Sequence, residues 1–392
     1  MAAAKRTDPT ARPAFWRCGK CGTPNPEASY LTHCIGCGGE RRTTASRVET
    51  RVEARSTRGR DLRAATWAYA ALVFTLLVLI RWVGKSWWGV AVLVFLPRWI
   101  FLAPVLVLAV ASGFRRCPWH WAVQGATALV VAGPLMGLCL PVSQLWTKPP
   151  EGGQRVRVVT FNMGEEPLPT AALRDWLARE SVDVVCLQEG RRLAGETRAL
   201  LGVGWHVSRE GSIASRWPIV WEMPAYPETV ASGERWTGKL ELVRLRTPSG
   251  VELAAASAHL PTLRYGMSRF FTADVAGGRR HLDWWGNEIS RMLSAVARSN
   301  DLPLILAGDF NMPADDSTMA GLRAHFRFAF EEAGWGYGYT RPARLPWIRI
   351  DHVLAGPEWT VTRCRVGPDL GSDHLPVLAE LVSTPAPSRA SP

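Results

Sequence analysis

Three uncharged stretches, residues 64–80, 99–114 and 121–146, constrain this chain more than any other feature. A helix that crosses the hydrocarbon core of a bilayer needs about 20 residues, with about 17–25 the usual range. Each stretch therefore reads as a transmembrane helix, over about 64–82, 99–114 and 121–142. Trp67, Trp82, Trp87, Trp88, Trp99, Trp119, Trp121 and Trp146 stand at or near their ends, where an interfacial belt would place them. Between the first two stretches, Arg81, Lys85 and Arg98 flank the apolar run 87–96, which reads as interfacial or re-entrant.

The charge is divided along the chain. Of 46 Lys+Arg and 34 Asp+Glu in 392 residues, residues 1–150 hold 19 and 6, leaving 27 and 28 for residues 151–392. The basic excess thus belongs to the N-terminal part, and bulk charge gives the C-terminal part no means of attracting polyanions. No signal peptide is expected, because the first apolar run begins at Ala64 behind a polar, Arg-rich stretch. Arg41, Arg42, Arg47, Arg51, Arg55, Arg58, Arg60 and Arg63 precede the first span, and Arg115 and Arg116 separate the second from the third. The positive-inside rule places both groups in the cytoplasm. The chain is expected in a bacterial-type inner or plasma membrane, with a cytoplasmic N-terminus and an extracytoplasmic C-terminal domain. The expected organisation is a disordered end (1–14), a cysteine module (15–40), a basic cytoplasmic linker (41–63), a membrane domain (64–147), a Pro/Gly linker (148–154), a globular domain (155–384) and a disordered tail (385–392).

Cys18-Gly-Lys-Cys21 and Cys34-Ile-Gly-Cys37 are two CxxC knuckles 12 residues apart. Two such knuckles can put four thiolates on one tetrahedral Zn²⁺, and a reducing cytoplasm keeps the thiols free. A four-thiolate site has no open position for water, so its role is structure and recognition. The segment from Trp16 through Cys18, Cys21 and Asn25 to the second pair resembles the Ran-binding-protein type of zinc finger; a plain zinc ribbon that contacts a cytoplasmic protein partner is the other reading.

The C-terminal domain shows five apolar segments that each release polar residues at one end. Residues 155–161 lead to Asn162, 182–187 to Gln188 and Glu189, 254–257 to His259, 304–308 to Asp309 and Asn311, and 349–350 to Asp351 and His352; Ser372-Asp373-His374 follows. Strands that end this way converge their polar ends at one edge of a packed sheet. A carboxylate such as Glu189 at a strand mouth suits a hard cation, and the Asn162 amide suits a phosphoryl oxygen. His352 alternates away from Asp351 and reads as structural.

Thr160-Phe-Asn162, Leu187-Gln-Glu189, Ser257-Ala-His259, Gly308-Asp-Phe-Asn311, Ile350-Asp351-His352 and Ser372-Asp373-His374 together resemble the ordered motifs of the endonuclease/exonuclease/phosphatase (deoxyribonuclease-I-like) superfamily, over about 155–384. The resemblance implies an α+β fold, a two-sheet β-sandwich flanked by helices in four αββα layers. It also implies hydrolysis of phosphate esters with Mg²⁺ or Mn²⁺. By resemblance, Glu189 and Asp373 bind the metal with Asp309 and Asn162. His374 contacts the scissile phosphate or serves as base, and Asp351 holds its imidazole. His259 donates to the phosphate or leaving group, and Asp309 and Asn311 position water. The expected protein is a membrane-anchored, Mg²⁺-dependent phosphoesterase, with nuclease-type phosphodiester hydrolysis favoured over a phospholipid-headgroup or inositol-phosphate substrate. The non-enzymatic alternative is a membrane adaptor. Specificity is expected in 261–285, where Arg264, Tyr265, Arg269, Phe270, Phe271, Arg279, Arg280, Trp284 and Trp285 interleave cations and aromatics that could meet nucleic acid or a lipid headgroup.

Overall fold

A computed structural model describes residues 15–18, 20–26, 33–39, 44–84, 88–113, 118–146, 148, 150–164, 170–189, 194–223, 238–262, 269, 274–299 and 301–384. The ends expected to be disordered, 1–14 and 385–392, lie outside them, as do Arg264, Tyr265, Phe270, Phe271 and the side chain of Trp285. The chain divides into two compact units, Met1–Trp67 and Ala68–Pro392.

In the first unit, β1 (Phe15–Arg17) pairs antiparallel with β2 (Pro24–Pro26). Helix α1 (Thr44–Val78) begins well before the apolar run. Residues 44–63, expected to be a linker, are helical: they are free of proline and rich in Arg, a good helix former.

The second unit holds the apolar segments and a two-sheet sandwich. Among the described residues one helix, Arg60–Val83, which begins in the first unit, is long and apolar enough to cross a membrane. The other two expected spans are shorter: residues 98–113 form a shorter apolar helix, and α4 (Pro118–Val130) has 13 residues before a π-helical turn, Val131–Leu135, that contains Pro134. Proline lacks the amide a helix needs and clashes with the preceding turn, so a regular helix cannot run on through this point.

Sheet one has the order β13 (Trp359–Val366), β14 (Val377–Ser383), β3 (Arg155–Asn162), β4 (Val184–Gln188), β6 (Ile213–Ser215) and β5 (His206–Val207). Sheet two has β11 (Arg327–Phe328), β12 (Asp351–Ala355), β10 (Leu304–Asp309), β9 (Glu252–His259), β8 (Lys239–Arg246) and β7 (Ile219–Glu222). Alternation sorts the side chains. Val156, Val158, Val184 and Cys186 of sheet one meet Leu253, Ala255, Ile305, Ala307 and Val353 of sheet two in the core between the sheets. On the outer face of sheet one, Val159, Phe161, Val185 and Leu187 pack on Leu173, Trp176, Leu177 and Leu200 of α5 (Thr170–Arg179) and α6 (Ala194–Leu201). On the outer face of sheet two, Leu242, Ala256 and Leu306 pack with Ile289, Met292 and Val296 of helix α7 (Val275–Ser299). These are the expected αββα layers.

Within the second unit the apolar segments pack with the sandwich. Val73, Ile80, Val90, Val94, Val131 and Leu135 join the same buried cluster as Leu242, Phe310, Met312 and Leu322. Cys139 pairs with Gly336 through two backbone hydrogen bonds of 2.8 and 3.0 Å. Arg98, which would be unfavourable inside a bilayer, is buried against Asp315 at 2.5 Å.

Candidate active site

The inner-face periodicity that builds the core also builds the site. Val156 and Val158 face the second sheet, so Thr160 and Asn162 continue along that face to the end of β3. By the same alternation His259 follows Leu253 and Ala255, Asp309 follows Ile305 and Ala307, and Asp351 leads into Val353. Register then aligns them: Asp309 lies opposite His259 in parallel β9 and opposite Asp351 in antiparallel β12. A Cβ at Gly308 would collide with the backbone of Ala258, so this pairing requires glycine.

Glu189 and Asn311 depart from alternation. Both stand just beyond a strand with left-handed backbones, φ 52° and 51°. Such a conformation is uncommon outside glycine and is typical of functional positions. Here it brings both side chains to the cluster instead of letting Glu189 alternate to the outer face. Asn162 Nδ2 donates to Asp309 Oδ2 at 2.8 Å and to Glu189 Oε1 at 3.0 Å, so one amide links the two carboxylates. The Asn311 amide N–H donates to Asp309 Oδ1 at 2.8 Å, and its side chain donates to the Leu260 carbonyl at 2.9 Å. His259 Nε2 lies 3.6 Å from both Glu189 Oε1 and Asp309 Oδ2.

His374 is held from three sides. Its Nδ1 donates to the Asp351 carboxylate at 2.9 and 3.1 Å, and its backbone N–H donates to Ser372 Oγ at 3.1 Å. Ser372 Oγ in turn donates to the Asn162 carbonyl at 2.8 Å, which ties the loop to β3. Nε2 is left facing the cluster, 3.8 Å from Asp309 Oδ2. This orientation is what a base or phosphate donor requires. Thr340 Oγ1 accepts from the N–H of Ile350 and Asp351, fixing the approach to Asp351.

The electrostatics follow from burial. Burial, reinforced by the Asp351 charge, pushes the Asp309 carboxyl up to about 7. Burial also opposes a charge on His374, but the neighbouring Asp351 and Asp309 outweigh it and hold that imidazole up at about 9. His259 is driven down to about 3 by burial and by its neighbour His374.

The structure thus brings together Asn162, Glu189, His259, Asp309, Asn311, Asp351 and His374. Asp373 sits apart, half exposed at the rim, with its Oδ2 accepting from Arg341 Nη2 at 2.7 Å and its Oδ1 4.0 Å from His374 Nε2. Arg341 and Thr340 escaped the sequence reading because their loop, unlike the strands, has no alternating pattern. His352 faces the opposite way, as expected, with Nε2 against the Met312 carbonyl and its ring between Phe310 and Phe328.

The Glu189, His259 and Asp309 ligand atoms lie within 4.8 Å of one another. Two carboxylates, one buried and destabilised as an anion, fit a hard divalent cation that would favour the ionised form. The four cysteines of the N-terminal module also gather within 4.8 Å, with Cys18 Sγ 3.6 Å from Cys37 Sγ and Cys21 Sγ 3.6 Å from Cys34 Sγ. The amides of Lys20 and Gly36 point at Cys18 and Cys34 sulfur, both at 3.4 Å.

Comparison with known proteins gives a match of residues 159–374 to the sequence profile of the Endonuclease/Exonuclease/phosphatase family. Similar solved structures include an endonuclease/exonuclease/phosphatase family protein of Bacteroides thetaiotaomicron, at 18% identity over 59% of this chain and 96% of the other, with a TM-score of 0.44. Another is a mannosyl-6-phosphatase of the same organism, at 17% identity over 58% and 99%, TM-score 0.45. The human Nocturnin catalytic domain with bound sulfate is similar at 18% identity over 60% and 98%, TM-score 0.41. The curated proteins hold no match.

Proposed function

Since the chain belongs to the endonuclease/exonuclease/phosphatase family, and is thus a hydrolase of phosphate esters, we propose that it is a membrane-anchored, Mg²⁺-dependent phosphodiesterase. One observation carries this reading: Asn162 links Glu189 to Asp309 directly opposite the His374–Asp351 pair. Glu189 and Asp309, with Asn162 and with Asp373 at the rim, would hold Mg²⁺ or Mn²⁺. When bound, the cation supplies charge neutralisation of the phosphate and lowers the pKa of water.

The chain's own groups do the rest. Asp351 fixes the His374 ring through Nδ1; with the imidazole held up at about 9, Nε2 carries a proton at pH 7 and donates to the phosphate, and it takes the proton of the attacking water only from its deprotonated form. Asp309 and Asn311 orient that water. His259, held down by burial, is neutral at pH 7 and donates a hydrogen bond to the phosphate or leaving oxygen. Burial of the cluster excludes bulk water from these contacts, which strengthens each of them. An adaptor would have no use for this arrangement.

Anchoring is proposed on the single long apolar helix. One crossing or three lead to the same topology, with the catalytic domain extracytoplasmic and the basic residues before Ala64 in the cytoplasm. A cysteine placed at the fully exposed Val203 should then react with a membrane-impermeant thiol reagent on intact cells; protection until the membrane is breached would reverse the topology. The cysteine module would hold a structural Zn²⁺ and present a surface to a cytoplasmic protein.

The test uses the full chain in detergent, because the apolar segments share a core with sheet two. Bis(p-nitrophenyl) phosphate should be hydrolysed with Mg²⁺, not with a chelator, and about 10³-fold more slowly by His374→Ala. A preference for the monoester, or an unchanged His374→Ala rate, would overturn the reading. Plasmid nicking then tests a nucleic-acid substrate. A second reading, a phospholipid-headgroup substrate, is favoured by that same shared core, since Phe310 and Met312 flank Asn311 and pack with the apolar segments.

A further inference from the structure

A cavity of about 340 Å³ lies where the apolar segments meet the sandwich, and none of the catalytic residues lines it. Three guanidinium groups do: Arg81, Arg98 and Arg349. Two carboxylates face them, Asp315 and Glu331. Asp315 is paired with Arg98, and Glu331 accepts two hydrogen bonds, 2.6 and 2.7 Å, from Arg323. Arg349 therefore has only a distant ion-pair partner, Glu331 Oε1 at 4.0 Å. Its Nη1 donates to the Tyr337 carbonyl at 2.8 Å and approaches Cys139 Sγ at 3.6 Å. Its Nε is buried with no hydrogen-bond partner among the described residues, although the side chain is only 9% exposed. Arg81, exposed, has no ion pair among the described residues.

Arg349 stacks over the Phe330 ring at 4.6 Å yet keeps a buried Nε without a hydrogen-bond partner among the described residues, and Arg81 in the same lining adds a second set of donors open to an anion. The planar fork of arginine matches phosphate and carboxylate alike, and of the two the phosphate brings more charge and more acceptor oxygens to a pair of guanidinium groups. The lining also carries Leu138 and Leu140, which are 37% and 56% exposed. A charged interior beside exposed leucines suits an amphiphile: phosphate inward, acyl chains along the leucines.

We propose that this cavity is a phosphate-binding site, distinct from the catalytic cluster, that takes the headgroup phosphate of an anionic lipid. The phosphate chemistry stands on the arginines alone; the lipid source rests on the membrane-anchored reading above.

The test is binding of dioctanoyl phosphatidic acid to the full chain in neutral detergent micelles, followed by intrinsic tryptophan fluorescence. Saturable binding is expected in the wild type and in His374→Ala, weakened about tenfold or more in Arg81→Gln and in Arg349→Gln. Dioctanoylglycerol, which lacks the phosphate, should not bind. Equal affinity of Arg81→Gln and wild type, or no saturable binding, overturns the proposal. Arg81 is exposed, so its variant keeps the test decisive even where Arg349→Gln fails to fold. Inorganic phosphate alone separates the sources: binding as tight as that of the lipid, with the same dependence on Arg81, would keep the phosphate site and overturn the lipid. Full turnover by His374→Ala would break the catalytic reading and leave this result untouched.

Discussion

The cysteine cluster and the carboxylate–histidine cluster are both metal-capable, yet the chain assembles them in opposite ways. The four sulfurs come from residues 18–37, gathered by two tight turns whose own amides point at the sulfur. The carboxylate and histidine groups come from residues 162–374, on two sheets, and meet only because strand alternation, strand register and two left-handed residues agree. A local cluster needs little beyond its turns and takes folding free energy from its ion. A nonlocal cluster inherits its geometry from the sandwich, and buries charges that the sandwich must hold in place.

The largest effect that sharpens this contrast is on chemistry. His374→Ala should reduce turnover about 10³-fold, measured by steady-state kinetics at a temperature where calorimetry shows the variant folded, since it leaves the buried Asp351 without its partner. A comparable loss of folded protein would mean that the catalytic cluster is a structural element after all. Next comes the ion pair under the sandwich. Asp315→Leu leaves Arg98 buried without its partner and should destabilise the second unit by about 3 kcal/mol in denaturant titrations. Removing the Zn²⁺ proposed for the first unit should matter less to catalysis. A zinc-selective chelator with excess Mg²⁺ should unfold residues 15–39, seen as cysteines newly reactive to a thiol reagent, and leave phosphoesterase turnover within about twofold. A collapse of turnover would show that the two clusters are not independent.

The smallest effect concerns a histidine of the sandwich that sits outside the chemistry. Burial, with the Arg349 charge second, drives His352 down to about 4, from 6.5 in an unfolded chain. The unfolded chain takes up that proton first, so His352 contributes its full stability above pH 6.5 and loses it progressively as the pH falls towards 4. Melting temperatures between pH 7.5 and 5 should decline, and His352→Phe should flatten the decline. An identical slope in the variant would assign acid sensitivity to other groups.

Much of the site was legible before any coordinates. Asn162, His259 and Asp309 close apolar strands and Asp351 opens one, and period-2 alternation puts all four on the inner face. Glu189 reached the cluster by a route alternation does not describe, because a left-handed backbone redirected it. Asp373 looked equivalent to its neighbour His374, yet the loop that pairs Arg341 with Ile348 delivers an arginine to it and holds it at the rim. The membrane region was legible as apolar but not as a neighbour. In the sequence Arg98 is a charge flanking an interfacial run; its carboxylate partner lies 217 residues later in the chain and only the fold brings the two together.

Sequence alone determined the chemistry available: two cysteine knuckles, an apolar helix of membrane length, and strands ending in Asn, Glu, His and Asp. Those features depend on neighbours within a few residues, where period and spacing act directly. Only the tertiary structure decided which carboxylates face which histidines, that the apolar segments share a core with sheet two, and that three arginines close on one cavity. Those outcomes depend on register and on packing between segments more than 100 residues apart, and a linear pattern does not encode the order in which such surfaces meet.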